Sequence, residues 1–205
     1  MKIYNEVRAE EFLSRYFKID TEKLTRNINE CIEFVKKYKY PAVLKIISDQ
    51  ALHKSKINGV RIINNEQELK SNYEDLLKIS KKLKLKLDGI LIQAFITGKE
   101  IIIGGKRDNT FGPIILFGSG GVFTEVLKDF SIRICPADEK DVNEMVKESK
   151  LYATLNEKDV KKITSALLKV NEIMLKHSEI VELDINPFIL NEKDFVVVDA
   201  RMIVN

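Results

Sequence analysis

The sequence predicts an α+β (α/β) fold, in which a single domain of residues 1–205 is built from two subdomains. Three observations support this prediction. Apolar residues recur at helical spacing in several stretches, they form short unbroken runs typical of buried strands in others, and the two kinds of stretch are interspersed along the chain. A chain of this length buries about 70% of the surface that it exposes when unfolded, so it needs no disulfide to hold a core.

The first half of the chain is predicted to contain three helices and three strands. Asn27 and Glu30 have the spacing of a capping box, and Pro41 ends the helix that this box begins because proline cannot continue a helix. The predicted helices cover residues 6–17, 28–35 and 69–83, and the predicted strands cover residues 42–47, 59–63 and 89–95.

The second half is predicted to be richer in strands. Strands at 100–105, 113–117 and 122–127 precede helices at 138–148 and 160–174, and a hairpin at 180–199 follows. Neither an internal repeat nor a low-complexity linker separates the halves. We place the junction near Phe95 to Gly98, so that the N-terminal subdomain is 20–95 and the C-terminal subdomain is 96–205 together with the helix at 6–17.

The composition argues against several classes of function. The formal net charge of +3 results from 34 basic and 31 acidic residues, and the lysine-rich stretch 81–86 has no aromatic residue for base stacking, so no nucleic-acid partner is expected. Cys31 and Cys135 lack the Cys-x-x-Cys spacing of redox and zinc sites, which favours a reduced, cytoplasmic protein. We also expect no membrane contact, because no apolar run approaches the roughly 18 residues of a membrane span.

The most informative segment is a predicted apolar hairpin with polar residues at its end. Two short strands around a turn at 191–194 would bring the side chains of Asn186 and Asp199 side by side. A carboxylate and an amide provide hard oxygen ligands without completing a cage, which suits a Mg²⁺ ion that also binds nucleotide phosphates. An ordinary hairpin with polar tips is the alternative.

Two basic side chains are candidates for phosphate chemistry. Lys45 lies within an apolar strand, so its ammonium group must meet an anion such as phosphate or reach solvent at the strand edge. His53 lies in a loop with Lys54 and Ser55, where a neutral imidazole is a competent nucleophile for phosphoryl transfer and neighbouring cations offset the charge of a phosphohistidine. A surface histidine without a chemical role is the alternative.

The glycine-rich turn 117–121 is a third candidate, because its successive N–H groups would form a nest for an anion. Polar residues close to it in sequence favour a site, with structural ion pairs as the competing explanation; they are Arg107, Asp108, Glu125, Asp129 and Arg133. We interpret His177, at the predicted end of a helix, as a favourable C-terminal charge and not as a catalyst.

Six motifs occur in the order and spacing of one known family. They are Val43-Leu44-Lys45-Ile46, the loop Leu52-His53-Lys54-Ser55 that leads to Gly59-Val60, Gly98-x-Glu100, Arg107-Asp108-x-x-Phe111-Gly112-Pro113, Phe117-Gly118-x-Gly120-Gly121 with Glu125, and Glu182-x-Asp184-Ile185-Asn186-Pro187. Together they resemble the ATP-grasp β subunit of ADP-forming acetyl-CoA (acyl-CoA) synthetase. The β subunits of succinyl-CoA synthetase, which share the hairpin, are a more distant match.

The resemblance implies an ATP-grasp fold whose two subdomains clamp a nucleotide, and a ligase that interconverts acyl-CoA, ADP and phosphate with acid, CoA and ATP. It implies that His53 carries the phosphoryl group, that Glu100 acts near the nucleotide, and that Asn186 and Asp199 bind Mg²⁺. The residues that it implies in binding ATP or ADP are Lys45, His53, Lys54, Ser55, Gln93, Ala94, Phe95 and Glu100. A separate, CoA-binding α subunit or fused domain is the implied partner.

Two functions of other classes compete with this interpretation. A non-catalytic, regulatory ATP-binding subunit is disfavoured because His53, Asn186 and Asp199 occur together. A stand-alone ATP-grasp ligase that joins a carboxylate to an amine is disfavoured by the histidine loop, because such enzymes use an acyl phosphate directly. Within the synthetases, a succinyl-CoA-synthetase-like β component is the alternative, and the sequence does not identify the acid that is used.

Overall fold

The computed structural model describes residues 1–51, 54, 57–121, 129–192 and 194–205. His53, Ser55, Glu125 and the strand predicted at 122–127 lie outside the described residues. The chain forms two units. The large unit consists of Met1–Ile19 and Thr97–Asn205, and the small unit is Asp20–Ile96.

Eleven strands and five α-helices form in the described part of the chain. The strands are β1 (Lys2–Tyr4), β2 (Glu22–Thr25), β3 (Ala42–Ile47), β4 (Val60–Ile63), β5 (Gly89–Ala94), β6 (Lys99–Asp108), β7 (Gly112–Ser119), β8 (Phe130–Ile134), β9 (Ile180–Leu190), β10 (Phe195–Val197) and β11 (Ala200–Val204). The helices are α1 (Glu6–Leu13), α2 (Ile28–Tyr38), α3 (Glu66–Lys82), α4 (Glu139–Glu148) and α5 (Glu157–Lys176), with a 3-10 helix at Lys150–Thr154.

The small unit is an antiparallel sheet with two helices packed on it. Its strand order is β2-β5-β3-β4, and the apolar residues of α2 and α3 pack with those of the sheet in one core. The two central strands are almost continuously apolar and buried, which explains why the sequence predicts them well. The outer strand β2, with Glu22, Lys23 and Thr25, has no apolar pattern and was not predicted.

The predicted capping box of α2 is wrong, although Asn27 does cap the helix. Its side-chain oxygen accepts a hydrogen bond from the Asn29 N–H, 3.0 Å away. The Glu30 carboxylate instead lies 3.0 Å from the ammonium of Lys23 on the neighbouring strand. Glu30 therefore forms a surface ion pair with Lys23 and does not cap the first turn of α2.

The large unit has a sheet with the order β1-β11-β9-β6-β7-β8, and β10 pairs with β9 beyond the end of β11. Alternate residues of the sheet, such as Ile101, Ile103 and Phe117, are buried in a core with apolar side chains of α1, α4 and α5. Because side chains alternate along a strand, Glu100 and Ile102 face away from this core. The polar residues of interest lie on that second face.

The ends of the chain differ from the prediction. Helix α1 ends at Leu13 and not at residue 17, because the N–H groups of Tyr16 and Phe17 both donate to the Leu13 carbonyl and turn the chain. The closing hairpin continues past residue 199 into β11, which pairs with β1. Among the described residues, no helix is long and apolar enough to cross a membrane.

Both cysteines are buried free thiols. Burial raises the pKa of Cys31 to about 12 and that of Cys135 to about 11. Both groups therefore stay protonated at neutral pH and behave as small apolar side chains.

Candidate functional site

The predicted proximity of Asn186 and Asp199 is present in the backbone, but not at the end of a hairpin. Asp199 lies in the break between β10 and β11, directly before Ala200, which pairs with Ile185 of β9. The Asn186 N–H donates to the Asp199 carbonyl over 3.0 Å. The backbones of the two residues are therefore adjacent in the middle of the sheet. Asn186 lies in β9, and Asp199 lies opposite it between the end of β10 and the start of β11.

A β-bulge redirects the chain at this point. Ile101 pairs with Phe188 and Ile103 pairs with Ile185, so Asn186 and Pro187 lie opposite the single residue Ile102. Proline has no N–H to donate to the ladder, which explains why the pairing is irregular here. Bulges re-aim side chains, and this one occurs at the residue that the sequence predicts as a metal ligand.

The glycine-rich turn does not form the predicted anion nest with its described N–H groups. The Ser119 N–H donates to the Asp129 carbonyl over 3.2 Å and the Gly120 N–H to the Glu100 carbonyl over 3.0 Å. The Gly121 N–H donates to the side-chain oxygen of Asn186 over 2.8 Å. Since acceptors within the protein already use all three donors, the nest interpretation is wrong for these residues, and the turn instead orients Asn186.

The Glu100 carboxylate lies directly beside Gly121. An added Cβ at Gly121 would be only 1.6 Å from the Glu100 Oε2 atom, so only glycine leaves room for the carboxylate in this position. Gly121 also has a φ of +68°, in the left-handed region that favours glycine. Glu100, Gly121 and Asn186 thus meet in the structure, although they are far apart in the sequence.

The resulting cluster has the chemistry of a hard-cation site. Asn186 contributes an amide oxygen that has one lone pair engaged by Gly121 and a second one for another partner. Glu100 adds a carboxylate beside Gly121, and the backbone hydrogen bond from Asn186 places Asp199, a second acidic residue, next to Asn186 in the sheet. Carboxylate and amide oxygens are the ligands that Mg²⁺ prefers in an incomplete cage that phosphate and water complete. The neighbouring cation Lys99 is engaged elsewhere, because its ammonium lies 2.6 Å from Asp159 Oδ2.

In the small unit, Lys45 is buried in β3 with 5% of its surface exposed. The alternative in which its side chain reaches solvent is therefore wrong. A buried ammonium is stable only with anionic or hydrogen-bonding partners, which is consistent with a role in binding phosphate.

The predicted adenine-facing segment is the end of β5. Gln93 is buried, and its side-chain amide lies 3.5 Å from the Glu22 carboxylate. The N–H groups of Ala94 and Phe95 donate to the carbonyls of Thr21 and Pro41. These two N–H groups are thus already engaged within the small unit, so a base bound here would meet backbone carbonyls and the exposed ring of Phe95.

The histidine loop is only partly described. The Lys54 carbonyl accepts a hydrogen bond from the Gly59 N–H over 2.7 Å, which closes the loop at that point. His53 and Ser55 lie outside the described residues, so their predicted roles stay predictions.

Arg107 and Asp108, which the sequence places close to the glycine turn, have structural contacts. The Arg107 guanidinium donates to the carbonyls of Met174, His177 and Ile180 and so satisfies the C-terminal end of α5. The Asp108 carboxylate accepts from the N–H groups of Thr110 and Phe111, which lowers the pKa of Asp108 and shapes the turn between β6 and β7.

Asp129 and Arg133 also have structural partners. Ser119 and Ser149 donate to Asp129 Oδ2 over 2.9 and 2.8 Å, and the Lys150 N–H donates to Oδ1 over 2.9 Å. Burial raises the pKa of Asp129, but these hydrogen bonds outweigh it and hold the pKa below its ordinary value. Arg133 pairs with Glu148, with a shortest distance of 2.6 Å.

His177 does end helix α5, as predicted, and both of its ring nitrogens have partners. Nε2 lies 2.9 Å from the Tyr16 hydroxyl, and Nδ1 lies 3.0 Å from Glu179 Oε1. Its ring also packs edge-on against Phe12, with 5.0 Å between the ring centroids. His177 thus joins α1 to the end of α5.

Comparison with known proteins identifies the family. A sequence model of the ATP-grasp domain matches residues 1–204. The β subunit of ADP-forming acetate–CoA ligase I from Pyrococcus furiosus is 37% identical to this chain, over 97% of this chain and 90% of that subunit. The chain belongs to the ATP-grasp family of ADP-forming acetate–CoA ligase β subunits. The predicted fold and the predicted family are thereby confirmed.

Other ATP-grasp relatives differ in length. ADP-forming acetate–CoA ligase I from Archaeoglobus fulgidus is 40% identical over 88% of this chain, and the match covers only 28% of that longer protein. The family thus includes proteins in which a domain similar to this chain is a small part of a longer polypeptide.

Solved ATP-grasp structures match the whole chain. Acetyl-coenzyme A synthetase 1 from Ca. Korarchaeum cryptofilum, in complex with coenzyme A and Ca-AMPCP, gives a TM-score of 0.90 at 36% identity and covers 100% of this chain and 94% of that one. A second complex of that synthetase contains coenzyme A and Mg-AMPPCP, with its phosphohistidine segment pointing towards the nucleotide binding site. It gives a TM-score of 0.80 at 35% identity and covers 100% of this chain and 93% of that one.

Proposed function

We propose that this chain is the nucleotide-binding β component of an ADP-forming acyl-CoA synthetase, which interconverts acyl-CoA, ADP and phosphate with carboxylic acid, CoA and ATP. The observation that carries the proposal is the cluster in which Gly121 meets both the amide oxygen of Asn186 and the carboxylate of Glu100, while the Asn186 N–H donates to the carbonyl of Asp199. It supplies oxygen ligands for a hard cation in a chain whose relatives are named as acetate–CoA ligase β subunits.

The described residues then have distinct roles. Asn186 and Asp199 would hold the magnesium ion, which would neutralise phosphate charge. The Glu100 carboxylate, exposed beside Gly121, contacts the bound nucleotide. In the small unit, the buried ammonium of Lys45 attracts the phosphates, and Gln93, Ala94 and Phe95 contact the base. These contacts act through position and charge, which provide most of the catalysis in phosphoryl transfer.

The reacting group is His53, with Lys54 and Ser55 beside it in the sequence. When ATP is consumed, a lone pair of the neutral imidazole forms a P–N bond as the bond from the γ-phosphorus to the ADP oxygen breaks, and the ring then loses its remaining N–H proton. In the opposite direction the P–N bond breaks and the phosphoryl group returns to ADP. A phosphohistidine segment that points towards a nucleotide site in the Korarchaeum synthetase supports this role.

The partner is a CoA-binding α subunit. The name of the Pyrococcus furiosus relative designates it subunit β, and a single Archaeoglobus fulgidus polypeptide contains a comparable domain as 28% of its length. The purified chain alone is therefore expected to form no acyl-CoA from acid, CoA and ATP. Turnover by the chain alone would refute this part of the proposal.

The metal assignment is tested with the double variant Asn186→Ala plus Asp199→Ala. We expect isothermal titration calorimetry to show that the affinity for Mg-ADP falls by about 100-fold or more, because both protein ligands of the ion are lost. Asn191→Ala plus Asp194→Ala is the matched control, since it removes the same residue types from the turn of the same hairpin. Equal affinities in the two double variants would show that the metal site is elsewhere.

The histidine relay is tested by labelling the chain with ATP that carries a labelled γ-phosphate. Phosphohistidine is labile to acid and stable to base, so base-stable label should appear on the wild type and disappear in His53→Ala. His177→Ala is the control, because the chain has only two histidines and His177 contacts Tyr16 and Glu179 instead. If the wild type binds Mg-nucleotide but takes no label, a regulatory ATP-binding subunit replaces the synthetase as the interpretation.

A further inference from the structure

We propose that Gly121 is a positioning residue of this site: its N–H orients the Asn186 amide, and its missing side chain lets the Glu100 carboxylate lie beside that amide. The inference rests on the proposed function, because it concerns residues that would bind magnesium and nucleotide. In this inference the glycine turn aligns the oxygen ligands and does not bind an anion directly.

The hydrogen bond fixes which end of the Asn186 side chain faces the turn. A backbone N–H requires an acceptor, so the amide oxygen and not the NH₂ group faces Gly121, at 2.8 Å. The same oxygen keeps a second lone pair for a cation. Without this donor, the side chain is free to rotate and to present its NH₂ group, which repels a metal ion.

The missing side chain matters for Glu100. A Cβ at Gly121 would lie 1.6 Å from Glu100 Oε2 and 2.8 Å from its Cδ, so a methyl group and this carboxylate cannot occupy these positions together. The crowded atoms belong to the end of a flexible, exposed side chain. An alanine at this position therefore displaces the carboxylate at little further cost to the fold, and its effect falls on the site.

A second glycine provides a matched control for backbone strain. Gly112 has a φ of +74°, close to the +68° of Gly121, but an added Cβ there would meet nothing within 4 Å. Alanine at either position pays the same penalty for a left-handed backbone. Only Gly121→Ala also meets Glu100, so the difference between the two variants measures the displacement of the carboxylate.

The experiment compares Gly121→Ala, Gly112→Ala, Glu100→Ala and Gly121→Ala plus Glu100→Ala. We expect both glycine variants to lower the melting temperature by a similar few degrees. We expect the Mg-ADP affinity to fall about tenfold in Gly121→Ala and to stay at the wild-type value in Gly112→Ala. The double variant should bind as Glu100→Ala does, because the methyl group acts through the carboxylate that is already gone.

Two binding results would overturn the inference. One is an equal affinity for Mg-ADP in Gly121→Ala and Gly112→Ala. Another is a double variant that binds clearly more weakly than Glu100→Ala, since Gly121 would then act through something other than Glu100. If Gly121→Ala alone does not fold, the double variant, in which the methyl group has room, still decides the question.

A measurement without nucleotide separates this inference from the proposed function. The ¹³C chemical shift of the Glu100 carboxyl group should move in Gly121→Ala and not in Gly112→Ala. An unchanged shift in both variants is the third result that overturns the inference, whatever the chain binds. A wild type that binds no Mg-ADP contradicts the proposed function, whereas a moved shift in that case still establishes that Gly121 positions Glu100.

Discussion

The stretch from Ser119 to Gly121, within the glycine-rich turn, has a carboxylate near each of its ends, and the two carboxylates differ in how their oxygens are used. Glu100 lies beside Gly121 and is exposed. Asp129, which approaches Ser119 at the other end, is buried and accepts hydrogen bonds from two serine hydroxyls and a backbone N–H. We infer from this difference that a carboxylate close to a glycine turn serves a site or the fold according to how many of its hydrogen-bond acceptor positions the fold already uses.

The structural end is expected to show the largest effect on stability. Asp129→Ala leaves Ser119, Ser149 and the Lys150 N–H without their shared acceptor, so the free energy of unfolding should fall by about 3 kcal/mol. Urea denaturation measures this loss. If Asp129→Ala is as stable as the wild type but its folded form binds Mg-ADP more weakly, then Asp129 serves the site and not the fold.

The site end is expected to show the opposite pattern. Glu100→Ala removes an exposed side chain, so the free energy of unfolding should change by about 0.5 kcal/mol or less. Its affinity for Mg-ADP should fall about tenfold, equivalent to ~1.4 kcal/mol, because a contact to the bound nucleotide is lost. Denaturation and calorimetry on one preparation measure both quantities. A large loss of stability without a loss of affinity would assign Glu100 to the fold instead.

The pH dependence of stability gives a smaller and more specific effect. The hydrogen bonds to Asp129 hold its pKa below the ordinary value in the folded state, so the ionised form stabilises the fold. This contribution is present above the pKa of an unfolded aspartate, about 3.9, and is lost as the pH falls through the lower folded-state pKa. The variant Asp129→Asn has no ionisable group at this position, so it lacks this contribution to stability at every pH.

The stability difference between the wild type and Asp129→Asn should therefore be constant near neutral pH and should narrow as the pH falls from about 5 towards 2. Denaturation curves at several pH values measure the narrowing. A difference that is independent of pH would mean that shape and hydrogen bonding at Asp129, and not its charge, stabilise this end of the stretch.

Much of the fold follows from local patterns. Apolar spacing predicts the positions of α3, α4 and α5, because the side chains that decide a helix lie within one or two turns of one another. Continuous apolar runs likewise predict β3 and β5. The adjacency of Asn186 and Asp199 could also be predicted, because the turn that joins their strands is part of the same short segment.

Three strands that the sequence did not predict lie at the edges of their sheets. Strands β1, β2 and β8 have three, four and five residues. An edge strand is stabilised by the neighbour with which it pairs, and that neighbour is distant in sequence. The end of α1 at Leu13 differs from the prediction for a related reason, because Tyr16 and Phe17 still pack on the core beyond the end of the helix.

The sequence by itself determined the family, the residue types of the proposed site and the oxygen chemistry that would suit magnesium, because each depends on residue identity and order. Only the tertiary structure decided which N–H groups of the glycine turn have acceptors, and that Gly121 meets both Glu100 and Asn186. Gly121 and Asn186 are 65 residues apart. Their contact depends on the register of β6 against β9 and on the bulge at Asn186, and register between distant strands is set by packing of the whole sheet.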